Sequence, residues 1–394
     1  MTIQNFTFYN PTRILFGKDQ IESIGEHIPK DAKVLITYGG GSVKRFGTFD
    51  KVVAALGQRQ WDEFGGIEPN PHYETLIKAV EKIKNERFNF ILAVGGGSVI
   101  DGTKFISAAA NFEGNPLDIL SGGIGKGEKV TSAMPFGTIL TLPATSSEMN
   151  SGGVVTFVEK QAKLGFGTPF TFPQFSVLDP ELTYSLPQRQ LANGISDTFI
   201  HILENYLTSP VNAMLQDGWS ETALRSLINI APKLREDNHD YDVRSNFMWI
   251  CTNGLNGFMS QGVPGDWATH KLGHEITALN NTDHAKTLVP IMIATMKVHK
   301  DEKFDKIVQY GKNVWNLDGD EETIYQAAID KTRQFFQSIH MPVTLDDIDV
   351  TADDIDYLVN QLEKHTFTHI GEIKAQTLQV SREIYQTALS NSAS

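Results

Sequence analysis

Four of the chain's eleven histidines and one aspartate occupy two short segments with the types and spacing of metal ligands. Asp197 and His201 are four residues apart in NGISDTFIH, so a helix would place both side chains on one face. The segment DWATHKLGHEITALNNTDH carries the other three, which are His270, His274 and His284. A carboxylate with two or three imidazoles is a mixed oxygen and nitrogen ligand set that suits zinc or ferrous iron. The sequence therefore predicts one metal ion held between two helices.

The spacing does not decide which of the three later histidines would bind the ion. Four protein ligands would be Asp197, His201 and two of the three. His270 and His274 share a helical face, which favours them as a ligand pair, and the remaining histidine could then relay a proton. The alternative is that these residues are ordinary polar positions on amphipathic helices, an interpretation that fits any one of them alone.

Two glycine-rich turns follow buried strands in the first half of the chain. The first is GGGS at residues 39–42 after KVLITY, and the second is GGGS at residues 95–98 after FNFILAV. In each case a helical pattern follows the turn. Alternating strands and helices of this kind build a parallel sheet, with ligands beyond the carboxyl ends of its strands. The two turns are therefore expected to open at the same edge of one sheet.

Glycine in such turns lets a phosphate approach backbone N–H groups at a helix N-terminus. Neither turn matches G-x-G-x-x-G, and either could be a tight turn only, but two successive GGGS turns favour a dinucleotide that contacts both. Lys44 and Arg45 follow Ser42 in the first turn, without an acidic residue to bind a ribose 2′-hydroxyl. The sequence thus predicts NADP(H) over NAD(H), the alternative for the two basic residues being a solvated helix start.

Length and composition indicate the class of protein. A chain of 394 residues suits two domains, and we place the boundary near residue 187, between an α/β dinucleotide-binding domain over 1–187 and a helical metal-binding domain over 188–394. The net charge of −13, without a dense basic run, argues against nucleic-acid and membrane partners. A single cysteine, Cys251, excludes an intrachain disulfide framework and fits a reducing compartment. We expect a cytoplasmic protein.

A nicotinamide site together with a metal that has an open coordination position suggests hydride transfer to or from a carbonyl group. The metal would act as a Lewis acid on the substrate oxygen. The expected substrates are therefore aldehydes and the corresponding alcohols.

The chain resembles the iron-containing alcohol dehydrogenases, and within them the NADPH-dependent aldehyde reductases and butanol dehydrogenases. The resemblance covers essentially the whole chain, through PTRILFGK, VLITYGGGSVK, FGGIEPNP, LAVGGGSVIDGTKFI, LTLPATSSE, VLDP, ANGISDTFIH and GVPGDWATHKLGHE. It implies that the metal ligands are Asp197, His201, His270 and His284. His274 would then lie close to the nicotinamide as a possible proton relay.

The resemblance also implies which residues contact the cofactor. Related members carry a glycine where this chain has Ser146. The contacts implied by the resemblance are Gly40, Gly41, Ser42, Asn70, Gly97, Ser98, Thr141, Thr145, Lys163 and Leu186. The two turns add Lys44, Arg45 and Gly96 as candidate cofactor contacts.

The fold implied by the resemblance is an N-terminal parallel-sheet domain of the dehydroquinate-synthase type followed by an all-helical C-terminal domain, assembled as a homodimer. The implied metal is Fe²⁺ or Zn²⁺, and the implied reaction is reduction of a short or medium-chain aldehyde by NADPH. Two other classes stay open. One is a non-redox lyase or cyclase of the dehydroquinate-synthase type, and the other is a binding protein stabilised by a structural metal.

Overall fold

The chain folds into two compact units. The computed structural model describes residues 2–236, 239–372 and 374–390. One unit, here called the sheet unit, comprises residues 9–187 and 239–252. The other, called the helical unit, comprises the described residues among 2–8, 188–236 and 253–390.

The sheet unit is built on a six-stranded, fully parallel sheet, accompanied by a separate antiparallel hairpin. In chain order the strands are β1 (Arg13–Phe16), β2 (Lys33–Tyr38), β3 (Gln60–Phe64), β4 (Phe90–Gly96), β5 (Phe136–Leu142), β6 (Gly152–Phe157), β7 (Ala162–Gly167) and β8 (Phe175–Leu178). The order across the parallel sheet is β1-β8-β5-β4-β2-β3, and β6 pairs with β7 in the hairpin.

The helices account for most of the remaining chain. In order they are α1 (Ser42–Arg45), α2 (Thr48–Leu56), α3 (Tyr73–Glu86), α4 (Gly97–Ala110), α5 (Gln188–Tyr206), α6 (Met214–Arg235), α7 (Tyr241–Gly254), α8 (Ala268–Asn280), α9 (His284–Val298), α10 (Lys300–Trp315), α11 (Glu321–Ser338), α12 (Ile355–Lys364) and α13 (Leu378–Thr387). Helices α1 to α4 and the part of α7 up to Thr252 belong to the sheet unit.

The strand register explains why the two glycine-rich turns open together. β2 and β4 are central neighbours, and Tyr38 at the end of β2 pairs with Val94 near the end of β4. Nearly every residue of both strands is buried, as expected for a parallel sheet covered on both faces. The chain leaves both strands at the same edge, so residues 39–42 and 95–98 lie at the ligand-binding edge predicted for this fold. The predicted parallel-sheet fold is confirmed.

The helical unit has its own core. Helix α8 packs against α9 and α12, and α9 packs against α5, α11 and α13. The buried face of α8 contributes Ala268, Leu272 and Ile276 to this core. The expectation of an all-helical second half needs one correction, because His369–Ile370 (β9) and Gln376–Thr377 (β10) form a short antiparallel pair.

Across the part of the chain that the structure describes, no helix is both long enough and apolar enough to cross a bilayer.

Candidate metal centre and cofactor site

Three histidine side chains converge on one carboxylate oxygen in the helical unit. The Nε2 atoms of His201, His270 and His284 each lie 3.8 Å from Oδ1 of Asp197. Asp197 and His201 come from α5, His270 from α8, and His284 is the first residue of α9. The four side chains predicted from the resemblance to bind the metal are therefore brought together from three helices.

The geometry and burial of this cluster fit a bound cation. Asp197, His201 and His270 offer ligand atoms that all lie within 4.8 Å of one another, and all three residues are buried. Among the described residues, Asp197 Oδ1 and His270 Nε2 have no hydrogen-bond partner. Tetrahedral ligands at 2.0–2.2 Å from a zinc ion would be about 3.4 Å apart, close to the observed separation. Buried polar atoms without partners are costly, so an ion among them would satisfy both.

The charges of the cluster also favour a metal. Burial by itself raises the pKa of Asp197, but the facing imidazoles of His201, His270 and His284 outweigh it and hold the pKa below its usual range. Burial lowers the pKa of His201 to about 4, so its imidazole is neutral at pH 7. Burial also acts to lower the pKa of His270, but Glu204 and Asp197 raise it to about 9. The carboxylate and one imidazole are thus already in the protonation states that a metal requires.

The start of α8 is fixed by a polar network that positions His270. Trp267, just before the helix, has the left-handed φ of +61°. Asp266 Oδ1 accepts a hydrogen bond from the Ala268 N–H at 3.0 Å, and Lys303 Nζ donates to Asp266 Oδ2 at 2.7 Å. Lys303 is itself buried. The indole of Trp267 lies with its ring centroid 5.5 Å from that of His270, so the turn and the ligand are packed together.

His274 lies beside the cluster. Its ring centroid is 6.2 Å from that of His270 and 5.1 Å from that of His284, and the side chain is buried. The shared helical face of His270 and His274 favoured them as a ligand pair, yet the histidine that reaches Asp197 alongside His270 is His284 from α9. His274 therefore lies next to the histidines that reach Asp197 and is not one of them.

In the sheet unit, the glycines of the two turns are required for different reasons. Gly41 has a φ of +91°, a conformation that favours glycine. A Cβ at Gly97 would lie 2.6 Å from Oγ1 of Thr145, so glycine is needed there for packing. A Cβ at Gly40 would have no described atom within 4 Å, and its backbone lies outside the left-handed region. Neither conformation nor packing requires glycine at position 40, so the backbone there is open to the close approach of a ligand.

The second turn brings three predicted cofactor residues together. Lys163 on β7 donates from Nζ to Oδ1 of Asn70 at 2.9 Å, and both residues are buried. The Asn70 N–H donates to Oγ of Ser98 at 3.3 Å. Asn70 itself has a φ of +56°, which asparagine tolerates better than most residues. A loop, a hairpin and the first turn of α4 therefore meet at the carboxyl end of β4.

Ser146 occupies the position where the resemblance implies a glycine in related members, and its backbone conformation would suit glycine. Its φ is +52°, in the left-handed region. The side chain is buried and donates from Oγ to the carbonyl oxygen of Cys251 at 2.5 Å. The neighbouring Ser147 N–H donates to Thr145 Oγ1 at 3.1 Å, while Ser147 Oγ donates to Asp101 at 2.5 Å. The two serine hydroxyls thus bond within the sheet unit and brace the loop that carries Thr145.

The structure adds an acidic residue to the first turn. Lys44 Nζ lies 2.5 Å from Oε2 of Glu63, near the end of β3, and Tyr38 donates to the same oxygen at 3.1 Å. The local sequence after Ser42 contains no acid, and Glu63 was missed because it arrives from the neighbouring strand. Lys44 is therefore paired with a carboxylate, while Arg45 is exposed with its guanidinium over the ring of Phe46.

The other candidate residues lie on separate elements of the same unit. Thr141 is on β5, Gly96 ends β4, and Leu186 follows the 3-10 helix Pro180–Ser185. Thr141 and Leu186 are both partly exposed.

Comparison with known proteins identifies the family. Residues 11–180 match the model described as iron-containing alcohol dehydrogenase, and residues 191–388 match the model of the C-terminal part of the Fe-containing alcohol dehydrogenase family. Together the two matches span most of the chain.

Individual relatives agree with these matches. The NADPH-dependent aldehyde reductase YqhD of Escherichia coli is 48% identical, with 98% of this chain and 100% of the relative covered. NADH-dependent butanol dehydrogenase A of Clostridium acetobutylicum is 34% identical, with 97% and 99% covered. A crystal structure of E. coli YqhD superposes with a TM-score of 0.96 at 47% identity, covering 98% of this chain and 99% of that one. The chain therefore belongs to the iron-containing alcohol dehydrogenase family.

Proposed function

We propose that this protein is a metal-dependent oxidoreductase that reduces aldehydes to primary alcohols with NADPH, and that catalyses the reverse oxidation. The observation that carries the proposal is the convergence of His201, His270 and His284 on Asp197 in a chain that is 48% identical to an NADPH-dependent aldehyde reductase. The metal is one divalent ion, Fe²⁺ or Zn²⁺. When bound, it supplies Lewis acid polarisation of a carbonyl oxygen.

The protein's own residues hold and orient the reactants. Asp197, His201, His270 and His284 are the proposed metal ligands, and the first three are buried, which keeps water away from their side of the site. His274 is the proposed proton-relay residue, because an imidazole can deliver a proton to the developing alcohol oxygen near neutral pH. Its place beside His270 and His284 supports this role.

The cofactor site is proposed at the carboxyl edge of the parallel sheet. Gly40 and Gly41 leave backbone N–H groups open to a phosphate, and Lys44 and Arg45 supply positive charge for a 2′-phosphate. The remaining proposed contacts are Ser42, Asn70, Gly96, Gly97, Ser98, Thr141, Thr145, Lys163 and Leu186. We place the boundary between the dinucleotide-binding and metal-binding domains at residue 187.

A non-redox lyase or cyclase of the dehydroquinate-synthase type is not favoured. Relatives that match over the length of the chain are named as an NADPH-dependent aldehyde reductase, an NADH-dependent butanol dehydrogenase and an NADP-dependent alcohol dehydrogenase. A purely structural metal is also disfavoured, because structural zinc is usually closed by cysteine ligands and this chain has one cysteine.

We propose a homodimer in the cytoplasm. Ile3, Phe6 and Phe8 in the helical unit are 44%, 54% and 45% exposed, which is unusual for a run of large apolar side chains. Cys251, the sole cysteine, is buried, which suits a reducing compartment. Light scattering coupled to gel filtration should give twice the chain mass, and a monomer at micromolar concentration would contradict the dimer.

The function is tested by following NADPH oxidation at 340 nm with a panel of small aldehydes. The protein should be assayed as purified, after chelation, and after addition of zinc or ferrous iron. We expect turnover that is lost on chelation and restored by metal, with NADPH preferred over NADH. Absence of turnover with every metal and both cofactors would contradict the proposal.

A further inference from the structure

A buried carboxylate bonds to the side of His270 that faces away from Asp197. Glu204 is only 2% exposed, and its Oε2 forms a short hydrogen bond with Nδ1 of His270. Its other oxygen, Oε1, accepts the backbone N–H of His270 at 3.3 Å. Glu204 lies on α5, seven residues after Asp197, so one helix presents both carboxylates to the same imidazole.

These contacts fix which ring nitrogen carries a proton. An ionised carboxylate only accepts hydrogen bonds, so the Nδ1 facing Glu204 must hold a hydrogen. The proton that a bound metal would displace is then the one on Nε2, which leaves a lone pair directed at the Asp197 side, 3.8 Å from Oδ1. Two electron-rich atoms that face each other in a buried site repel unless a cation lies between them.

Glu204 also ties the start of α8 to α5. Its backbone carbonyl oxygen accepts the N–H of Asp266 at 3.0 Å, and Asp266 caps the first turn of α8. The side chain of Glu204 therefore holds the imidazole of His270, and its backbone carbonyl group holds the start of α8, the helix that carries His270. Rotation of the His270 ring would break the side-chain contact.

We infer that Glu204 is a positioning residue for the metal centre, which sets the tautomer and ring orientation of His270 and thereby the affinity for the ion. The inference rests on the proposed metal site. A carboxylate behind a ligating imidazole raises the ligand's basicity, and loss of such a partner typically weakens metal binding 10- to 100-fold.

A second carboxylate–imidazole pair in the same unit provides a matched control. Glu275 on α8 and His365 are both 2% exposed, and Oε1 of Glu275 lies 2.8 Å from Nδ1 of His365. Neither residue belongs to the proposed ligand set. Glu275→Gln therefore removes a buried charge paired with an imidazole, as Glu204→Gln does, without altering a proposed ligand.

The experiment measures metal binding to the full chain. Zinc is removed from the wild type, Glu204→Gln and Glu275→Gln, and its affinity is determined by competition with a chromophoric chelator. The visible spectrum of each protein loaded with Co²⁺ then reports the ligand geometry. The two N–H groups of His270 bond to different oxygens of Glu204. Glutamine replaces one of these oxygens with an NH2 group, which only donates, so one of the two contacts is lost.

We expect Glu204→Gln to bind zinc about 10- to 100-fold more weakly, with an altered Co²⁺ spectrum. Glu275→Gln should keep the wild-type affinity and spectrum. Should Glu204→Gln not fold, Glu204→Asp replaces it. Aspartate keeps the charge but is one methylene shorter, so zinc binding should again weaken.

Other outcomes would overturn the inference. If Glu204→Gln, or Glu204→Asp in its place, binds zinc as the wild type does, the positioning role is wrong and the proposed function still stands. If the Glu204 and Glu275 variants weaken binding equally, the effect is a general loss of stability. If the wild type binds neither zinc nor Co²⁺, the metal assignment and this inference fail together.

Discussion

Replacement of Gly40 by alanine tests whether this glycine is required for cofactor binding or for folding. A Cβ at Gly40 would have no described atom within 4 Å, and the backbone there lies outside the left-handed region. Gly→Ala at a compatible position stabilises a protein by about 0.4–1 kcal/mol, because the unfolded chain loses freedom. Gly40→Ala should therefore leave the free energy of unfolding unchanged or slightly increased.

The same methyl group should interfere with the cofactor. A backbone hydrogen bond to a charged phosphate contributes about 1.5–3 kcal/mol. Loss of one such bond corresponds to roughly 10- to 140-fold weaker binding of NADPH. Gly40→Ala is thus expected to be stable and deficient in cofactor binding, a combination that packing damage would not produce.

The assay combines urea denaturation with titration of NADPH fluorescence. Gly218→Ala is the matched control, since a Cβ at this position in α6 also has no described atom within 4 Å. Because Gly218 lies within a helix, Gly218→Ala should raise the free energy of unfolding by up to about 1 kcal/mol and leave the affinity for NADPH unchanged. A Gly40→Ala protein that binds NADPH as tightly as the wild type would refute the placement of the phosphate at the first turn.

Three further predictions concern other groups. His274→Ala should retain its metal by elemental analysis but lower kcat by about 10² or more and change the pH-rate profile; an unchanged profile would remove the relay role. Glu63→Gln frees Lys44 from its partner, so the KM for NADPH should fall while that for NADH stays unchanged; equal shifts would argue against a 2′-phosphate at Lys44. Burial lowers the pKa of Lys104 to about 8 from 10.5, so the folded chain binds fewer protons than the unfolded chain between these values. Stability relative to Lys104→Met should rise with pH across that window by up to about 1.4 kcal/mol per unit in urea titrations, and a flat difference would contradict it.

The parallel sheet and the two turns could be predicted because their signals are local. β2 and β4 are continuous apolar runs, as strands buried on both faces must be, and each ends at glycines. The pairing of Asp197 with His201 likewise follows from helical spacing. The choice between His274 and His284 did not follow from spacing, because it depends on how α9 packs beside α8.

The contacts that were missed join residues far apart in the chain. Glu204 reaches His270 across 66 positions, although its spacing of three from His201 places it on the same side of α5. Glu63 meets Lys44 because β3 pairs with β2. Residues 239–252 belong to the sheet unit, yet their helical pattern resembles that of the helices after residue 253. Periodicity shows that a helix has an apolar face, but it does not show which core that face packs against.

The relation between bound metal and turnover tests the central claim most directly. Metal-free protein should be titrated with zinc or ferrous iron, and the bound metal per chain should be measured by elemental analysis beside the rate of NADPH oxidation with an aldehyde. We predict a rate that rises in proportion to bound metal from near zero and reaches its maximum at one ion per chain. Full turnover in metal-free protein, or a fully loaded protein that does not oxidise NADPH with any aldehyde, would contradict a metal-dependent aldehyde reductase.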